Sequence, residues 1–259
     1  MTSSASAPDV AASAVGAPAG TVSDRGTVRR DSVTAARWTV SGTAKIAKDV
    51  RAGAIGLRGL VTIGGQLSAS TVRGRGTLEV QGPIEVEGPL TLDGSLRAAA
   101  SVHSAELEVT GSVRCAGPLK IDRLCSVHGI LEASGVTAGI LRIKGSAQLP
   151  GRVEVGALDT ELRETSAFGS IVGRAVQVRG KVPNVVDKAL FHERTVTIDR
   201  IEAESVSLEG VDAGFVRSPQ ILLGRGCHVA QIEGTVVRQH SSSYVGPESR
   251  TPPPYGLRR

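Results

Sequence analysis

The chain has 259 residues, 40% of them hydrophobic but only 2% aromatic, and 32 glycines. So few aromatic rings argue against a carbohydrate groove or a base-stacking platform for single-stranded nucleic acid, and no apolar run approaches the roughly 20 residues that cross a bilayer. The net charge of +5 rests on 30 basic residues, 24 of them arginine, and with the excess spread along the chain it reads as a solvated surface, so no nucleic-acid partner is expected.

Residues 1–37, opening MTSSASAPDVAASAVGAPAG, are rich in Ala, Ser, Gly and Pro without apolar periodicity. Such a segment buries too little surface to offset its ordering entropy, so a disordered tail is predicted. It has no basic residue before Arg25 and no leucine-rich core, so no secretory signal is expected. Three cysteines at irregular spacing point away from a disulfide framework and toward a reducing, cytoplasmic compartment.

A β-helix is predicted over 38–238. Trp38 and Val40 open its first coil, with Trp38 expected to cap the end of the core. The regular body spans 55–158, and its pattern is plainest in GTLEVQGPIEVEGPLTLDGSL, Gly76 to Leu96. Apolar pairs two apart, Leu78 with Val80, Ile84 with Val86 and Leu90 with Leu92, recur every six residues behind a glycine. Residues two apart share one face of a strand, so each pair points inward, while Gly82-Pro83 and Gly88-Pro89 turn the chain between them. The first-of-pair positions run Ile55, Val61, Leu67, Val72, Leu78, Ile84, Leu90, Leu96, Val102, Leu107, and on through Val113, Leu119, Leu124, Ile130, Val136, Leu141, Ala147, Val153 to Leu158. The steps are six, six and five, a coil of 17 with one of 18 between Val72 and Leu90. The fold class is therefore all-β: a single-stranded, three-sided β-helix whose coils stack at about 4.8 Å. Val109 and Ile143 complete inward pairs with Leu107 and Leu141, and Val72 and Val153 belong to the same columns.

Where strict spacing would turn Glu132 inward, Val127, Leu131 and Ala133 carry the coil after a local slip. Between Asp159 and Ser170 the apolar slots hold Glu164 and Ser170, and a protruding loop is predicted. Irregular coils follow over 171–238. Val176, Val178 and Val182 resume the winding, Lys181 to Thr195 interrupts it as a helical turn or a loop on the flank, and from Val196 to Ile221 the apolar step shortens to five. Residues 239–259, with Pro252 to Pro254, read as an extended tail.

No catalytic, cofactor or metal site is expected. His103 falls in an outward slot and His128 near a corner, positions a solvent-facing histidine occupies without chemistry. Cys227 and His228 are adjacent on a strand, so they face opposite ways and cannot share a metal easily. Cys115 takes an inward slot and Cys125 is expected to face out. The glycines of Gly64-Gly65, Gly74 to Gly76 and Gly224 to Gly226 are corners with no following helix to cradle phosphate, and Glu85 with Glu87 lacks the acidic groove of a glycosidase.

The repeat L-x-V-x-G-x, in GTLEVQGPIEVEGPL and in the C-terminal run Ile201 to Gly234, resembles that of the bactofilins, bacterial polymer-forming cytoskeletal proteins. The resemblance covers 40–238. It implies a right-handed β-helix, self-assembly end to end into nonpolar filaments without nucleotide or other cofactor, and an inner-membrane surface or cell-envelope proteins as partners. Because a terminal phenylalanine matters for assembly in that family, Phe215 is a candidate assembly residue by location, alongside Trp38. The alternatives are a non-polymerising β-helix adaptor and a hexapeptide-repeat acyltransferase, whose three-sided helix needs a histidine base that only His103 or His128 could supply.

Overall fold

The computed structural model describes residues 20–182 and 196–246. They form one eleven-stranded sheet in which every strand pairs only with its neighbours in sequence. In chain order these are β1 (Thr21–Arg30), β2 (Val33–Ile46), β3 (Val50–Ile63), β4 (Leu67–Val80), β5 (Ile84–Ala98), β6 (Val102–Leu162), β7 (Ser166–Gly180), β8 (Val196–Glu209), β9 (Val211–Leu223), β10 (His228–Gln239) and β11 (Tyr244–Val245). All the pairings between successive strands are parallel, and β6 alone runs 61 residues without a break. The result is a parallel β-solenoid of about 12 turns.

The register follows the apolar spacing. Val33 pairs with Val50 and Val50 with Leu67, seventeen residues on each time. Val72 pairs with Leu90, eighteen on, and the extra residue is absorbed at the corner between Val86 and Pro89. In β3 the inward pairs are Val50 with Ala52, Ile55 with Leu57, and Val61 with Ile63, all buried. Three inward pairs per coil make three sides around one continuous apolar column. Val72, Leu78, Val80, Ile84, Val86 and Leu90 are buried in it, as are Leu107, Val109, Leu141, Ile143 and Val153.

One corner is built from glycine alone. Eight glycines from Gly26 to Gly145, one per coil, hold positive φ between 74° and 146°. A Cβ on Gly94 would stand 2.0 Å from the carbonyl oxygen of Gly76, so neither the conformation nor the space admits a side chain. This run of corner glycines ends at Gly145, whose carbonyl accepts the amide of Arg163 from the next coil at 2.8 Å.

Four expectations need correction. Winding begins at Thr21, not at residue 38; the inward slots Asp24 and Arg30 are polar, which hid this coil from an apolar pattern. No loop protrudes between Asp159 and Ser170: β6 runs to Leu162 and β7 starts at Ser166, and the inward slots are filled by Thr160, Leu162, Ser166 and Phe168, while Glu164 is exposed and Ser170 half-buried. Leu124 and Ile130 are only half-buried, and Cys125 with Val127 and Leu131 with Ala133 take the inward places, so Cys125 faces in. Finally, strand pairing continues past residue 238 to β11, whose Val245 pairs with Val229. The step of five from Val196 to Ile221 appears as a fifteen-residue coil, with Val196 opposite Val211 and Val206 opposite Ile221. The interruption assigned to Lys181 to Thr195 lies, from residue 183 on, outside the described residues, as do 1–19 and 247–259.

Candidate functional site: the two ends of the solenoid

A solenoid leaves unpaired strand edges only at its ends, so the terminal coils are where its backbone can engage another chain. At the N-terminal end, β1 places Asp24 over Val40 and Arg30 over Ile46, both in inward slots. The Arg30 guanidinium donates to Asp24 through Nη2 at 2.7 Å and through Nε at 3.1 Å, and the Trp38 indole Nε1 donates to Asp24 Oδ2 at 2.9 Å. The Asp24 side chain is 3% exposed and that of Arg30 42%. The hydrogen bond from Arg30 holds the Asp24 carboxyl below its ordinary range, against the opposing pull of burial, with Trp38 adding to the lowering. Two inner slots of the first coil, those of Asp24 and Arg30, thus hold a charged pair closed by Trp38 of the next coil, while Val22 packs half-buried on the core beside them.

The C-terminal end is built differently. Ile232, Val236 and Val245 stand one to each side of the last coil, half-buried and packed on the core from below. Beside them Val237 is 62% exposed. On the outer face, His228 stacks on Tyr244 with ring centroids 5.6 Å apart, its Nε2 lies 3.1 Å from the Gly246 carbonyl and its Nδ1 3.5 Å from Asp212. These contacts fasten β11 to the coil beneath it.

The residues singled out in the sequence fall elsewhere. Trp38 is no end cap; it is fully buried between Val22 and Ile55, one coil inside the first. Phe215 is half-buried on an outer face between Arg200 and Gln231, under the Arg200 guanidinium at 4.5 Å, so it too sits one coil inside its end. His103 is exposed, 3.2 Å from Asp122, and His128 is exposed with no such partner among the described residues. The two histidines and the cysteines are not brought together: Cys115, Cys125 and Cys227 are buried at separate levels of the core, and burial pushes the Cys125 thiol up to about 12. Cys227 faces in while His228 faces out, as adjacent strand residues must. The Asp24, Arg30 and Trp38 triad went unseen in the sequence, although an Asp and an Arg six apart, the step of the repeat, was the available signal.

No helix among the described residues is long and apolar enough to cross a membrane. No protein-family model, no curated protein and no solved structure matches the chain.

Proposed function

We propose that this chain is a structural, non-catalytic scaffold of the bactofilin type that associates with copies of itself end to end, in the cytoplasm, without nucleotide. The observation that carries this reading is the C-terminal coil, where Ile232, Val236 and Val245 are left half-buried at the open end of the column. Only a β edge with the same three-sided outline covers all three sides at once, and another copy of the chain has that outline. Stacking of like ends gives two-fold contacts, and repetition through the other end gives a filament without polarity. The segments 1–19 and 247–259 are then free to recruit a membrane surface or cell-envelope proteins.

The N-terminal triad favours a second reading. An inward charge at a strand edge discourages edge pairing. With that end closed, association through the other end alone gives pairs, and the protein acts as a capped adaptor. Sedimentation and electron microscopy of the full chain, alongside Ile232→Lys with Val236→Lys, separate the two. Filaments abolished by the double variant support the scaffold. Pairs abolished by it support the adaptor, and single particles at every concentration and salt defeat both.

A further inference from the structure

Charge is segregated along the solenoid in a way that total composition conceals. Residues 20–78 hold ten basic and three acidic residues, a net +7, whereas 79–182 with 196–246 hold fifteen basic and eighteen acidic, a net −3. The three acids of the basic part are already engaged. Asp24 binds Arg30, Asp31 binds Lys48 at 2.8 Å, and Asp49 accepts the amide of Gln66 at 2.8 Å.

On one side of these coils the surplus surrounds a groove of about 650 Å³ lined by Thr39, Ser41, Gly56, Arg58, Arg73 and Arg75. The parallel register stacks it: Thr39 lies opposite Gly56 and Gly56 opposite Arg73, while Ser41 lies opposite Arg58 and Arg58 opposite Arg75. Gly56 occupies an outward slot in which the neighbouring coils carry Thr39 and Arg73, so the floor is bare between the Thr39 methyl on one side and the Arg73 guanidinium on the other. No steric demand requires glycine there. A Cβ at Gly56 would meet only Thr39 Cγ2, at an ordinary 3.5 Å, and its φ lies outside the left-handed region. Arg75 is paired with Asp93 at 3.1 Å, but Arg58 and Arg73 are exposed and have no ion-pair partner among the described residues.

We infer that this groove binds the phosphoryl oxyanion of a phosphorylated ligand, with Arg58 and Arg73 as its two guanidinium clamps and Gly56 as the opening that admits it. A planar guanidinium matches two phosphate oxygens at once, which a lysine cannot do. The hydroxyl of Ser41 adds a donor from the same wall, that of Thr39 being turned to the Val22 carbonyl at 3.5 Å. The absence of aromatic side chains from the lining sets the site apart from a base-stacking platform, so the group recognised is the oxyanion itself. This inference is independent of end-to-end association, because the groove lies on a side face.

Calorimetric titration of the full chain with inorganic tripolyphosphate at low salt tests it, and co-sedimentation with phosphatidylcholine vesicles, with and without phosphatidylglycerol, distinguishes a lipid headgroup from a soluble source. Arg58→Ser with Arg73→Ser should weaken binding roughly tenfold or more, the loss of charge-assisted hydrogen bonds. Gly56→Val keeps every charge, fills the floor and should weaken binding to a similar extent at unchanged melting temperature. Arg142→Ser with Arg174→Ser removes the same charge from later coils and should leave binding within about twofold. Loss with both site variants in either arm sustains the site and identifies its source. Equal weakening by the Arg142 and Arg174 pair, indifference to Gly56→Val, or no binding in either arm overturns it.

Discussion

The indole of Trp38 and the carboxylate of Asp24 meet at 2.9 Å across fourteen residues of chain, joining the first coil to the second from inside the solenoid. Asp24 accepts from Arg30 as well, so one buried carboxylate satisfies two donors that would otherwise sit over an apolar column.

That arrangement fixes a pH dependence. Because the folded Asp24 pKa lies below the ordinary carboxylate value near 3.9, its contribution is fully present above that value and is lost as pH falls through the folded pKa. Asp24→Asn should cost about 1–3 kcal/mol at neutral pH and, alone among conservative changes at β1, flatten the acid side of the melting curve below pH 4. Thermal melts from pH 2 to 7 on both proteins check this. Parallel acid limbs for wild type and variant would remove Asp24 from the account.

The glycine corner separates two kinds of glycine. Gly94 has φ of 146° and no room for a Cβ against Gly76, whereas Gly56 faces only ordinary contact. Gly94→Ala should therefore destabilise by about 1–3 kcal/mol from conformation alone, and more through the backbone collision, while Gly56→Ala should stay within about 0.5 kcal/mol. Denaturant titrations of the two would show the contrast. Similar midpoints would mean that the corner tolerates side chains.

The architecture was legible because burial imposes a period. Pairs such as Ile84 with Val86 repeat at the spacing of the sides, and even the long coil at Val72 to Leu90 showed in the sequence. What escaped was whatever broke the apolar rule while keeping the geometry. Asp24 and Arg30 satisfy each other, and Ser166 takes an inward slot because its Oγ accepts the Ala147 amide at 3.1 Å and donates to the Glu164 carbonyl at 3.0 Å. Leu124 and Cys125 are neighbours with comparable claims to the core, and periodicity alone chose the wrong one. The charge segregation was likewise hidden, since its meaning depends on knowing that residues 20–78 are neighbouring coils.

Thr160 gives a prediction in the stabilising direction. It fills an inward slot opposite Val178, is fully buried, and its Oγ1 has no hydrogen-bond partner among the described residues. Valine has nearly the same shape without the hydroxyl, so Thr160→Val should raise stability by about 1 kcal/mol or more by removing an uncompensated polar group. The melting temperature should rise, and a fall would show that the hydroxyl has a partner after all.

Cys125 allows the interior to be probed chemically. Its side chain is fully buried and burial alone drives its thiol pKa up to about 12, so at pH 8 essentially none of it is the reactive thiolate. Cys115 is also raised by burial, but its sulfur donates to the Ala100 carbonyl at 3.0 Å and it lines a surface groove, which leaves it nearer to solvent. Under native conditions a maleimide should modify Cys115 before Cys125, and raising the pH from 7 to 9 should not bring Cys125 into reaction. In denaturant all three cysteines should react together. Peptide mass spectrometry reads each site, and native labelling of Cys125 at the rate of Cys115 would mean that its coil opens independently of the stack, contrary to a continuous core at that level.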